Sequence, residues 1–448
     1  MEREKMQAIQ TLLDERQYKR LRQTWDGMNE VDVAAAIEQL RTEQALLAFR
    51  TLPKEMAAEV FANFSQDRQQ EMIEEITETE LSEILKDLFV DDVVDILEDM
   101  PANAVHNILR RAEPSRRRLI NEFLQYPENS AGSIMTAEFT DLKRAMTVGE
   151  AIEHIRRTGE DRETIYTCYV LDARRILIGV VTVKDLLLAS DEEKIEQIMD
   201  TDVISVYTGE DQEQAVALLN RYDLLSLPVV DKEQRLVGIV TVDDATDVME
   251  QEATEDFEKM AAMAPSEKPY LKTSVWTLAR NRIVWLLVLM VSGMITGGIL
   301  GRYEAAFAAM PLLVTFIPML TDTGGNAGSQ SSTMVIRGLA VAEIANRDMP
   351  KVFWKELRVS VLVGAVLSAV NYVRLIITYP GQQTMALCVA LTLFCTVVLA
   401  KTVGGILPML AKLVHADPAI MAAPLITTIV DAVSLVLYFT IASQLLAL

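Results

Sequence analysis

Cysteine and histidine are scarce: the 448 residues hold three of each. Cys168, Cys388 and Cys395 have no metal-type spacing and form no disulfide framework, as expected of a cytosolic and membrane location. His106, His154 and His415 are scattered, so a thiolate or imidazole site for a soft metal has no support. The N-terminus, MEREKMQAIQ, is charged and lacks the apolar core of a cleaved leader, which predicts that the acidic portion stays in the cytosol. No nucleophile–base pair, Walker loop or histidine cluster stands in the sequence, which argues against an enzyme and against pumping by ATP hydrolysis. Positive charge is short as well. Of 42 Lys+Arg and 64 Asp+Glu, 11 and 7 fall from Trp276 onward, so the preceding 275 residues hold 31 and 57, a net of −26. Such a surface argues against nucleic acid as a partner and favours cations, or at minimum solubility.

What is present falls into three parts. Residues 1 to about 130 repeat apolar positions at three- and four-residue spacing, as in Leu81, Ile84, Leu85, Leu88 and Val93, Val94, Ile96, Leu97. Pro53 and Pro101 each precede such a run, which predicts stacked helical hairpins in a short helical-repeat domain. An internal duplication follows. Ile178-Gly179-Val180-Val181-Thr182 returns as Val237-Gly238-Ile239-Val240-Thr241, and Ile134-Met135-Thr136 as Ile198-Met199-Asp200. The two offsets, 59 and 64, differ by a longer connection near Gly159–Thr164 in the first copy. Each copy reads strand, helix, strand, strand, helix, and the pair resembles tandem CBS domains, which implies an adenosine nucleotide such as ATP as a ligand. Tyr169, Lys184 and Asp185 are its candidate residues, although Lys184-Asp185 could equally cap a helix.

From Val242 the pattern becomes one acidic helix, VDDATDVMEQEATEDFEKM, with Asp244, Asp247, Gln251, Glu255 and Glu258 on one face and Glu252 and Asp256 beside it. Like charges so placed repel, and a divalent cation would relieve the repulsion; a merely solvated face is the alternative. Five apolar segments then follow, near 283–300, 305–320, 359–378, 385–414 and 419–448. The first, eighteen residues long, would span about 27 Å as a helix, close to a bilayer core. Arg280 and Arg282 precede it, and Arg337, Arg347, Lys351, Lys355 and Arg358 fill the loop after the second, which puts the N-terminus inside and the C-terminus outside.

Within this apolar third lies a polar, Gly-rich run, Thr321–Thr333, expected to break the second span and leave backbone carbonyls facing a lumen. Asn326, Ser329 and Gln330 add neutral oxygens, and Asp322 and Asp431 add carboxylates at membrane depth. Oxygen ligands suit a hard divalent ion, and magnesium needs only one or two carboxylates. In a symmetric dimer Asp431 supplies two. The alternatives are a helix-packing hydrogen bond for Asp431 and a turn cap for Asp322. Lys401 either snorkels or pairs with an acid.

GGNAGSQSST, the stretch DPAIMAAPLITTIVD ending at Asp431, the CBS pair and the Asp91-Asp92-Val93-Val94-Asp95 run together resemble the MgtE family of magnesium transporters. The resemblance implies a multidomain membrane protein: an all-α helical-repeat domain (1–130), α/β CBS copies (131–195, 196–250), an acidic linking helix (251–275) and an α-helical membrane domain of five spans (276–448). It implies a homodimeric channel in the cell membrane that admits Mg2+ down its gradient, with cytosolic Mg2+ as the closing signal. The pore candidates are Asp431, Gly324, Gly325, Asn326, Gly328, Ala423 and Thr427. Ala423 stands where the family often has Asn or Gly, so a side-chain ligand is missing there. The regulatory candidates are Glu59, Asp91, Asp95, Glu213, Asp223, Asp244, Asp247, Glu252, Glu255, Asp256, Glu258 and Asp417. A coupled divalent-metal exporter and a membrane-anchored nucleotide sensor are the rival functions.

Overall fold

The computed structural model describes all residues except 1, 99, 101, 267–269, 272, 304–309, 342 and 447–448, and leaves out the side chains of 2–4, 55, 66, 78, 102–104, 107 and 111. It divides into two compact units, Met1–Met249 and Glu250–Leu448.

Among the described residues the first unit opens with ten short helices, from Glu2–Asp14 to Pro114–Phe123. Their ends are set locally. The Asn29 side chain accepts from the Val31 amide, Thr77 and Glu80 form a reciprocal capping box, and Pro53 and Pro114 sit at helix starts. The residues at three- and four-residue spacing, Leu81 to Leu97, are all buried, and the rings of Phe49, Phe61 and Phe64 lie 6.0 Å apart at the core.

The duplication forms two three-stranded sheets. β1 (Thr140–Lys143) pairs parallel with β2 (Thr167–Leu171), which pairs antiparallel with β3 (Leu177–Thr182). β4 (Val206–Tyr207), β5 (Ser226–Val230) and β6 (Leu236–Thr241) repeat this, with an irregularity at the same place in each long ladder. The registers keep both offsets, since Leu142 faces Val170 where Val206 faces Val229. The extra connection is a 3-10 turn at Gly159–Asp161. The copies interlock: Thr136 and Ile239 exchange two backbone hydrogen bonds, as do Val180 and Asp200. A Cβ on Gly238 would lie 2.7 Å from the Thr136 carbonyl, and one on Gly179 would lie 3.0 Å from that of Asp200. The repeated glycine is therefore the site where each copy's leading segment crosses the other's strand. The last helix, Val242–Met260, spans the residues expected for the acidic helix, and the division between the units falls within it.

In the second unit, four stretches among the described residues are long and apolar enough to cross a membrane: Val275–Arg302, Asn346–Thr378, Gln383–Leu413 and Pro418–Leu446. A further helix, Ile317–Ala340, contains the whole Gly-rich run. The expected break there is corrected. Pro318 lies in the helix's first turn, where its missing amide costs nothing, and Pro311 begins a separate 3-10 turn, Pro311–Phe316. Of the segment expected at 305–320, residues 305–309 lie outside the described residues, and the helix starts only at Ile317.

Candidate functional site

The glycine helix Ile317–Ala340 has two unlike faces. Gly324 packs on Thr396 and Val430, Gly325 on Thr427, and Gly328 on Ile426 and the Ala400 carbonyl. Gly404, on the Gln383–Leu413 helix, sits against the Gly328 backbone. The glycines thus bring helices together, and their expected role of opening the backbone to a lumen is corrected. On the opposite face Asp322, Asn326, Gln330, Thr333 and Arg337 are exposed at three- and four-residue steps, which makes one polar stripe. Such groups in hydrocarbon are costly unless they meet water or protein.

Asp431 is half-buried on the Ala423–Leu446 helix, close enough to Asp322 for the two charges to act on each other. Among the described residues neither carboxylate has a hydrogen-bond partner, so the packing bond considered for Asp431 is not formed. Asp322 lies inside the helix and caps no turn. Ala423 is the first residue of its helix, and the Thr427 hydroxyl donates to the Pro424 carbonyl at 2.9 Å.

A cluster of acids lies in the first unit. Asp91 and Asp92 occupy the first turn of Val90–Glu98, and Asp243 and Asp244 the first turn of Val242–Met260. Burial, with repulsion from Asp92, Asp244, Glu138 and Glu163, pushes the Asp91 carboxyl up to about 9. Burial, with repulsion from Asp244, Glu59 and Glu138, raises Asp92 to about 6, and burial, with repulsion from Asp244, Asp243, Asp92 and Glu138, raises Glu163 to about 7. Burial also raises Asp244, against a hydrogen bond from Thr241 that lowers it. Oδ1 of Asp91 is buried and has no hydrogen-bond partner among the described residues. Glu59 and Asp247 are exposed yet near enough to act on Asp92 and Asp244 respectively, and Asp95, Glu213 and Asp223 are exposed. Among the described residues no three His, Cys, Asp or Glu side chains converge as a metal cage.

The acids near the end of the same helix belong to the second unit. Lys259 Nζ lies 2.6 Å from Glu255 and 2.7 Å from Asp417, and Asp417 caps the 3-10 turn Pro418–Met421. Burial raises Asp256, followed by repulsion from Asp417. Glu258 accepts from the Ser266 amide at 2.7 Å.

The nucleotide candidates separate. Tyr169 is fully buried, edge-on to Phe139, with its hydroxyl 2.7 Å from Ser226 Oγ. It packs the two CBS copies together, so its expected contact with a ligand is corrected. Asp185 closes the capping box with Thr182, leaving Lys184 exposed beside it.

Family models match three regions: the intracellular N domain of MgtE over 28–129, CBS domains over 131–192 and 195–251, and the divalent cation transporter domain of MgtE over 317–441. The magnesium transporter MgtE of Thermus thermophilus is 38% identical over 334 residues, 75% of this chain and 74% of that protein. The chain belongs to the MgtE family. MgtE of Bacillus subtilis is 37% identical over 331 residues, covering 74% of this chain and 73% of its own. A crystal structure of the cytosolic domain of the Mg2+ channel MgtE in complex with ATP is 36% identical, with a TM-score of 0.52 over 54% of this chain and 99% of that one. The soluble part of a magnesium transporter matches with 28% identity and a TM-score of 0.54.

The acid cluster also holds residues not anticipated above: Asp92, Glu138, Glu163 and Asp243. Glu163 had a signal. It sits in the connection that only the first CBS copy carries, and its amide donates to the Glu138 carbonyl at 2.8 Å.

Proposed function

We propose that this protein is a homodimeric magnesium channel of the cell membrane that admits Mg2+ down its electrochemical gradient. The observation that carries the proposal is the exposed stripe of Asp322, Asn326 and Gln330 on a helix packed among apolar spans, with Asp431 beside it. A second copy related by a twofold axis would close the stripe into a wet path and supply a second Asp431. An ion that keeps most of its water needs only these few oxygens. The N-terminus and CBS pair lie in the cytosol and the C-terminus outside, as the Lys and Arg distribution implies.

Cytosolic magnesium is the closing signal. Asp91, Asp92, Glu163 and Asp244 are held together against their mutual repulsion, and a divalent cation among them favours that compact arrangement. Mg2+ flux into proteoliposomes tests the path: Asp431→Ala abolishes it, and undiminished flux in that variant overturns the reading. A coupled exporter would respond to an imposed sodium or proton gradient, and a pure sensor would pass no magnesium. An adenosine nucleotide at the CBS pair is a second reading, which rests on the ATP complex of the related cytosolic domain. Exposed Lys184 is its candidate contact, and ATP titration of the Lys184→Ala protein tests it.

A further inference from the structure

We propose that Lys401 is a positioning residue: through Ser331 and Glu356 it sets the rotation of the glycine helix and so turns the polar stripe toward the ion path. The inference rests on the pathway reading above. Lys401 is 6% exposed in the middle of the apolar helix Gln383–Leu413. Its ammonium does not snorkel to an interface. Nζ donates to the Ala327 carbonyl at 3.4 Å and to Ser331 Oγ at 3.2 Å, and Ser331 in turn donates to Glu356 Oε2 at 2.6 Å. Three helices meet there, and Gly405 leaves room for the Glu356 side chain, which a Cβ would approach to 2.8 Å.

The rest of that interface explains why a pin is needed. Gly324, Gly328, Gly404 and Ser332 permit close approach but present few side chains to interlock. One residue of slip rotates a helix by about 100° and would carry Asn326 off the path. Any such rotation also strips a buried ammonium of its acceptors, so the polar bridge specifies one rotation even where it adds little net stability.

The test uses the whole protein in proteoliposomes, with Asn326→Cys as a reporter of which face meets water. A membrane-impermeant methanethiosulfonate reagent is the probe, and its reaction with the parent protein is the baseline. With Lys401 in place the reporter is labelled. Lys401→Met lowers both labelling rate and Mg2+ flux by about tenfold or more, the scale of an ångström-level misplacement. Thermal unfolding is expected to stay unchanged, and Lys401→Arg restores both readouts. Ser331→Ala, a small substitution that removes only the bridging hydroxyl, lowers them in the same direction. Labelling and flux that survive both Lys401→Met and Ser331→Ala overturn the proposal alone. A reporter that is never labelled, even with Lys401 in place, overturns the pathway reading and this proposal with it.

Discussion

The ammonium of Lys259 lies 2.7 Å from the carboxylate of Asp417, so within the second unit this chain carries its own cation among the acids at the end of the Val242–Met260 helix. Burial works against that charge, yet hydrogen bonds to Asp417 and Glu255 hold the ammonium above its ordinary range. Removing it should leave Glu255 and Asp417 unscreened. Lys259→Met is therefore expected to raise open probability in the absence of magnesium while closure at high magnesium persists. A pair this exposed is worth about 1 kcal/mol at most, a several-fold change in the ratio of open to closed channels. Single-channel recording at zero and saturating cytosolic magnesium checks it.

The acid cluster predicts a pH dependence. Asp91, Asp92 and Glu163 titrate at about 9, 6 and 7 in the folded protein, above their ordinary carboxylate ranges. Between those ranges and about pH 9 the folded state holds protons that the unfolded chain has lost. Stability is then greatest at the acid end and falls as pH rises through the window. Saturating magnesium should flatten the dependence. Protection of the Val90–Glu98 amides against hydrogen exchange, corrected at each pH for the base-catalysed intrinsic rate and measured with and without Mg2+, tests the sign; greater protection at alkaline pH without the ion would contradict it.

Neutralising Asp244, Asp247, Glu255 and Asp256 together should leave the channel conducting at high cytosolic magnesium, because the acidic helix then loses the charges through which an ion would bridge it to its neighbours. Normal closure of that variant would end the feedback assignment.

Gly404→Ala should be poorly tolerated, since its Cβ would press on the Gly328 backbone, which cannot swing aside. Overpacking of this kind costs about 1–3 kcal/mol. Gly297→Ala is the control. Among the described residues nothing lies within 4 Å of its Cβ position, and alanine in place of glycine favours a helix by up to about 1 kcal/mol. Thermal unfolding in detergent should separate the two variants.

Local order was legible from the chain alone. The three- and four-residue apolar spacing marked buried helical faces at Leu81–Leu97, and the offsets of 59 and 64 reappear in the strand registers. Of the five apolar segments marked by hydropathy, four match the membrane-length stretches found among the described residues. The acids Glu138 and Glu163 escaped notice because only the folded chain brings them to Asp91. Tyr169 misled for a related reason: the same aromatic can stack on a ligand or fill a core, and its burial against Phe139 decided for the core.

By itself the sequence determined the short helices of the first unit, which segments are duplicated and which are apolar, because propensity, repetition and hydropathy act over neighbouring residues. The tertiary structure alone decided what the glycines do. Lacking a side chain, glycine both loosens a backbone and admits a close neighbour. Only the presence of Thr396, Thr427, Ile426 and Gly404 at contact distance shows that close packing prevails and the helix runs through.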